Sequence, residues 1–178
     1  MTSFFKPAVA LLMAGAGCIS QALAQAPHSA AAHAHHGAQH QAGAVTRSVL
    51  PFDEQTWTQL LSQGPRPAAY LFTTSYCSTC PAAFAVLHEA VKNRATQAPL
   101  NAVMMDVSGP QALRHARHFK GMTQMYAFDG FEPAIRQAVD PNWPNVTPYV
   151  VLVDGKGHTQ RVMGPPSPDM LRRWLWTH

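Results

Sequence analysis

The sequence predicts an α/β fold, a central mixed sheet flanked by helices. Three observations carry this. Apolar runs of strand length at residues 68–73, 100–107 and 146–153 alternate with stretches whose apolar residues recur at three- and four-residue spacing. Strand, helix, strand in that order implies a right-handed crossover, which makes the first two runs parallel neighbours. Asp154-Gly155-Lys156-Gly157 reads as a hairpin turn, so the chain returns antiparallel after the third run and the sheet is mixed.

Taken in order, residues 49–52 form a short edge strand. Asp53 caps a helix that runs through Trp57, Leu60 and Leu61 to about residue 63, where Gly64 ends it. Pro65 and Pro67 make the turn into the buried strand 68–73. A helix follows the cysteine pair to about residue 95, with Phe84, Leu87 and Val91 as its apolar stripe. After the second run, Ser108-Gly109-Pro110 opens a helix over 111–119. Residues 131–139 read as a short helix and 140–145 as loop. The strand 146–153 is opened by Pro148, and 158–163 returns beside it. Ser167 or Asp169 caps a last helix with Met170, Leu171, Trp174 and Leu175 on its apolar side.

With 178 residues, 47% of them hydrophobic and 12% charged, the chain suits a single domain. The net charge of +4 is scattered, with no basic run beyond Arg172-Arg173, which argues against a nucleic-acid partner. Residues 1–24 read as a secretory signal peptide. Lys6 is the charged start, 7–19 the apolar segment and Ala22-Leu23-Ala24 the cleavage site, and the pattern reads as bacterial with a periplasmic destination. Cys18, preceded by Ala16 and Gly17, raises the rival reading of a lipid anchor, although Gly15 stands where such sites usually carry leucine. Residues 25–47 form a linker rich in Ala and His, without apolar periodicity and expected to be disordered. Its imidazoles at His33, His35, His36 and His40 suit copper, zinc or nickel. The folded domain is expected over 48–178, as a monomer.

The chain is organised around Tyr76-Cys77-Ser78-Thr79-Cys80-Pro81, where an apolar strand meets a helix. Cys77 is expected at the junction and Cys80 one turn inside. Helix N-termini present unpaired N–H groups and partial positive charge, and in such sites a thiol pKa falls from about 8.5 to roughly 3.5–7.5. Cys77 then serves as nucleophile and Cys80 as the resolving thiol. Two other readings stay open: half of a zinc site, for which further ligands at suitable spacing are wanting, and a purely structural disulfide, whose short loop gains little chain entropy. His115 and His118 share a helical face and are a candidate metal pair, but beside Arg114 and Arg117 they read as surface; Met122 and Met125 are a candidate soft copper pair but read as core or loop packing.

The order of elements, with Cys77-Ser78-Thr79-Cys80 and Thr147-Pro148 at the head of a strand, resembles the thioredoxin fold, and most of all the periplasmic TlpA-like thiol-disulfide oxidoreductases. The resemblance covers residue 50 to the C-terminus. Residues 108–145 then correspond to that branch's insertion before the cis-Pro strand. The resemblance implies a cis Pro148 against the cysteine pair, with Thr147 pairing to an extended substrate segment. It implies protein disulfide substrates, no required cofactor, a membrane thiol electron donor, and apocytochrome or copper-site cysteines as targets. Two departures stand out. Leu71 occupies the strand position where thioredoxins bury an acidic residue, and Ser78-Thr79 replaces their Gly-Pro. The rival function is a copper-binding protein that uses the His-rich leader together with the cysteine pair.

Overall fold

The computed structural model describes residues 48–94 and 97–176. The expected signal peptide over 1–24, the histidines His33, His35, His36 and His40 of the expected linker, and Cys18 lie outside the described residues. In chain order the elements are β1 (Val49–Phe52), α1 (Thr56–Gln63), β2 (Ala68–Thr73), α2 (Cys80–Val91), β3 (Leu100–Met104), α3 (Gly109–His115) with a 3-10 turn (Ala116–His118), β4 (Gln124–Phe128), α4 (Glu132–Val139), β5 (Tyr149–Val153), β6 (Thr159–Met163) and α5 (Pro168–Trp176).

The strands form one six-stranded sheet in the order β1-β4-β3-β2-β5-β6. β1, β4, β3 and β2 run parallel; β5 pairs antiparallel with β2, and β6 antiparallel with β5. This is a thioredoxin-like mixed sheet flanked by helices. Residues 108–145 supply α3, the 3-10 turn, β4 and α4, and β4 sits inside the sheet rather than on its surface. The sequence reading leaves β4 out and gives its Met125 only as packing. That methionine is fully buried, and alternate β4 residues face the two cores. Four expected elements differ in extent: α2 ends at Val91, β3 ends at Met104, β5 begins at Tyr149 rather than 146, and α3 runs over Gly109–His115 before the 3-10 turn.

Strand alternation sorts side chains onto two faces. One face carries Ala69, Leu71, Leu100, Ala102, Met104, Met125, Val150 and Leu152, covered by Phe84 and Leu87 of α2, Ala112 of α3 and Trp174 of α5. The other carries Tyr70, Phe72, Val103, Tyr149 and Val151, covered by Trp57 of α1 and by Ile135 and Val139 of α4. The helix ends are fixed locally. The Asp53 carboxylate accepts the N–H groups of Gln55 and Thr56 at 3.0 and 2.8 Å and the Thr56 hydroxyl at 2.7 Å. Ser167 Oγ accepts the Met170 N–H at 3.3 Å at the start of α5. Buried Trp174 donates its indole N–H to the Val153 carbonyl at 2.9 Å, which ties α5 to β5. In the β5–β6 hairpin, Asp154 Oδ1 accepts the N–H groups of Lys156 and His158 at 2.9 Å each, and Gly157 takes φ +88°, a conformation that favours glycine.

Candidate functional site

β2 delivers the site. It is buried on both faces from Ala68 to Thr73, and its end leads through Thr74, Ser75 and Tyr76 into the cysteines. The Cys77 N–H donates to the Thr74 carbonyl at 3.2 Å and the Cys80 N–H to the Cys77 carbonyl at 3.4 Å, so the two cysteines span a turn. The first α-helical bond there is Ala83 N–H to the Thr79 carbonyl, at 3.2 Å. Cys80 is therefore the first residue of α2 rather than a full turn inside it, and Cys77 stands before the N-cap, Thr79. Pro81 costs α2 no bond, because its missing N–H falls in the first turn.

Cys77 and Cys80 are joined as a disulfide, with S–S 2.02 Å and Cα–Cα 5.5 Å. Their environments differ. Cys80 is 0% exposed within the face packed by α2, α3 and α5, whereas Cys77 is half-buried and packs against the edge of that core. A sulfur reached from outside and a second sealed beneath it suit sequential thiol exchange. Thr79 Oγ1 lies 3.8 Å from Cys77 Sγ.

The Thr147–Pro148 peptide is cis. The antiparallel register pairs Tyr149 with Phe72, so Thr147-Pro148 lies beside the end of β2 from which Cys77 follows. The Pro148 carbonyl is taken by the Gly164 N–H at 2.8 Å, and among the described residues the Thr147 main chain makes no hydrogen bond. The loop before it is anchored from the aromatic face. Trp143 stacks on Tyr149 with centroids 4.4 Å apart, the Trp143 indole donates to the Val146 carbonyl at 3.3 Å, and the Tyr149 hydroxyl donates to Asp140. Burial pushes the Asp140 carboxyl up, but the Tyr149 hydroxyl, the Asn142 N–H and the Arg161 charge outweigh it and hold the carboxyl below its ordinary value. The Arg66–Pro67 peptide, in the turn before β2, is also cis.

Two groups of residues at the site go beyond the sequence reading. Asp106, just past β3, accepts the Ser75 N–H at 2.9 Å and the Ser75 hydroxyl at 2.5 Å, which pins the turn that carries Cys77. The only signal for it in the sequence is an acidic residue at the end of an apolar run. His115 and His118, read as plain surface, line a cavity of about 320 Å³ together with Thr74, Tyr76, Cys77, Met104 and Phe119. Phe119 is seated against Phe84 of α2 at 5.2 Å between centroids, which brings the end of α3 alongside the cysteine turn. Leu71 is buried in the same cluster as Cys80, so an apolar side chain occupies the place where the family resemblance leads one to look for a carboxylate. No group of three or more His, Cys, Asp or Glu placed to hold a metal ion occurs among the described residues.

No protein-family model matches the chain, and no curated protein sequence matches it. Solved structures similar to it include a thioredoxin-related protein from Neisseria meningitidis serogroup B, 14% identical over 64% of this chain and 86% of that one, with TM-score 0.48. A secreted Mycobacterium tuberculosis disulfide oxidoreductase homologous to E. coli DsbE is 17% identical over 60% of this chain and 77% of that one, with TM-score 0.43. StoA from Bacillus subtilis is 16% identical over 61% of this chain and 81% of that one, with TM-score 0.41.

Proposed function

We propose that this chain is a thiol-disulfide oxidoreductase of the bacterial periplasm that works as a reductase on protein disulfides. The observation that carries the reading is the pairing of a half-buried Cys77 with a fully buried Cys80, next to the end of the sheet where Thr147-Pro148 lies.

In the reduced protein the Cys77 thiolate attacks a partner's disulfide. One partner sulfur leaves with the bonding pair and takes a proton, and a mixed disulfide to Cys77 remains. Cys80 loses its proton and attacks Cys77 Sγ, releasing the second partner sulfur as a thiol. Two electrons have passed to the partner, and the Cys77–Cys80 disulfide is restored. The Thr147 main chain holds the partner as an added strand segment while this happens. Electrons move between sulfurs throughout, so the exchange requires no cofactor. Renewed turnover draws on a membrane thiol donor, and the secretory leader in the sequence supports the periplasmic address. Among the described residues no helix is long and apolar enough to cross a membrane. Cysteines of apocytochromes and of copper sites are the partner class we assign, with the protein acting as a monomer.

The assignment is tested with variants. Cys77→Ser is expected to abolish reduction of insulin disulfides, whereas Cys80→Ser accumulates mixed disulfides visible on non-reducing gels. Full activity in Cys77→Ser contradicts the assignment. Copper handling by His33, His35, His36 and His40 is carried by composition alone. Deleting residues 26–45 is expected to remove copper affinity and leave exchange intact.

A further inference from the structure

The cavity beside Cys77 opens between the carboxyl ends of β2 and β3 and the end of α3, and neither β5 nor Pro148 before it contributes to its lining. Its titratable lining consists of Cys77, Tyr76, His115 and His118, and no carboxylate lines it. His115, His118 and Cys77 line one cavity of about 320 Å³, and charges sharing such a wall are screened only over a Debye length of about 8 Å at physiological salt. A charge on either imidazole is therefore felt at the Cys77 sulfur.

The two histidines differ. Arg117 Nε–H lies 3.2 Å from His118 Nε2, and a guanidinium can only donate. Nε2 is then the acceptor, and the proton of the neutral His118 ring is on Nδ1. His115 is half-buried and has a ring contact with His118 at 6.1 Å, but no hydrogen bond among the described residues. Both of its ring nitrogens are open. The charged groups on the pair's own segment are Arg114, Arg117 and Lys120, the last of which interacts with Glu89 of α2; Tyr76 shares the cavity wall, and the Asp106 carboxylate, after β3, is engaged by Ser75. The first turn of α2 adds no acidic residue. The balance is cationic, which suits an anionic sulfur.

We infer that His115 and His118 form the acid–base pair of this site, His115 taking the Cys77 thiol proton and His118 donating its Nδ1–H to the thiolate that remains. The S–H bond of Cys77 breaks, an N–H bond forms on His115, and the electron pair stays on Sγ, so the step needs no oxidant or reductant. This places the proton-handling group on α3, on the opposite side of Cys77 from Thr147-Pro148, in a site where Leu71 can take no proton. The inference rests on the exchange reading above.

The test is the alkylation rate of reduced Cys77 by iodoacetamide across about pH 4 to 9, read by mass at the Cys77 peptide in the Cys80→Ser background. Two inflections are expected, one from the Cys77 thiolate and a second that depends on His115. His115→Gln is expected to remove the second and to slow alkylation at neutral pH about tenfold, equivalent to one pKa unit at Cys77. His118→Gln is expected to slow it without removing that inflection. Arg114→Gln, a cation that does not line the cavity, keeps both inflections. Profiles of His115→Gln and His118→Gln that superimpose on the parent overturn the inference. Insulin reduction by the parent with both cysteines present separates the two readings. Exchange with superimposed profiles refutes the histidine pair alone. Two inflections without exchange refute the reductase and leave the pair standing.

Discussion

The two faces of the sheet are packed by different chemistry, and each holds a different part of the site. The face under α2, α3 and α5 is lined by small residues, with Ala69, Ala83, Ala102, Ala112 and Ala127 all nearly or fully buried among larger aliphatics. Small side chains let helices lie close to strands, and this is the face that seals Cys80. The face under α1 and α4 is built of interlocked rings: Trp57 on Tyr70 at 5.3 Å, Phe52 on Phe72 at 5.6 Å and Phe72 on Trp143 at 4.8 Å. From Trp143 the packing continues through Tyr149 to the loop before Pro148. The Cys80 sulfur is thus positioned from one core and the Thr147-Pro148 segment from the other. β2 is common to both.

This difference can be broken from either side. Trp143→Ala removes the ring that links the aromatic core to the loop and is expected to cost about 3–5 kcal/mol in chemical denaturation. It should also weaken capture of a disulfide partner, measured as mixed-disulfide yield in a Cys80→Ser background, while leaving alkylation of Cys77 by a small reagent unchanged. Ala83→Leu overpacks the other face and is expected to cost about 1–3 kcal/mol. Because Ala83 lies one turn along α2 from Cys80, this variant should shift the reduction potential of the pair, an effect that Trp143→Ala should lack.

A smaller effect is expected from pH at the loop before Pro148. Asp140 is held below its ordinary carboxyl range by Tyr149, Asn142 and Arg161 against the opposing effect of burial. A depressed folded-state value stabilises above the unfolded value, near about 4, and that contribution is lost as pH falls through the folded value. Asp140→Asn is therefore expected to be about 1–3 kcal/mol less stable than the parent at neutral pH. The gap should narrow as pH falls below about 4. A gap that stays constant from neutral to acid pH would remove Asp140 as the charged anchor of the loop.

Much of this was legible in the residues. The strand-to-helix placement of the cysteines follows from an apolar run meeting a helical stripe, and the cap at Asp53 and the hairpin at Asp154 follow from local hydrogen-bonding chemistry. β4 was not legible because Gln124-Met125-Tyr126-Ala127-Phe128 buries residues toward both cores, with rings on one face and Met125 and Ala127 on the other. Alternation then carries no polar signal. The orientation of His115 and His118 was hidden for a different reason. α3 stops at His115 and tightens into a 3-10 turn, in which positions three apart eclipse one another. The pair consequently faces the cysteine turn instead of following the surface stripe of a longer helix. Asp106 was hidden because its partner, Ser75, is 31 residues away in sequence.

The central claim, that Cys77 and Cys80 are an exchange couple and not a structural clasp, is tested most directly by their reduction potential. Metal-free protein is equilibrated in thiol redox buffers and read by alkylation mass shift at the two cysteines. A reversible two-electron couple near that of a thioredoxin, about −270 mV, is expected. A value near about −120 mV would reverse the proposed direction of electron flow and make the protein an oxidant. A value below about −300 mV, where structural disulfides lie, or failure to titrate as a two-electron couple, would make the pair a structural clasp and not an exchange couple.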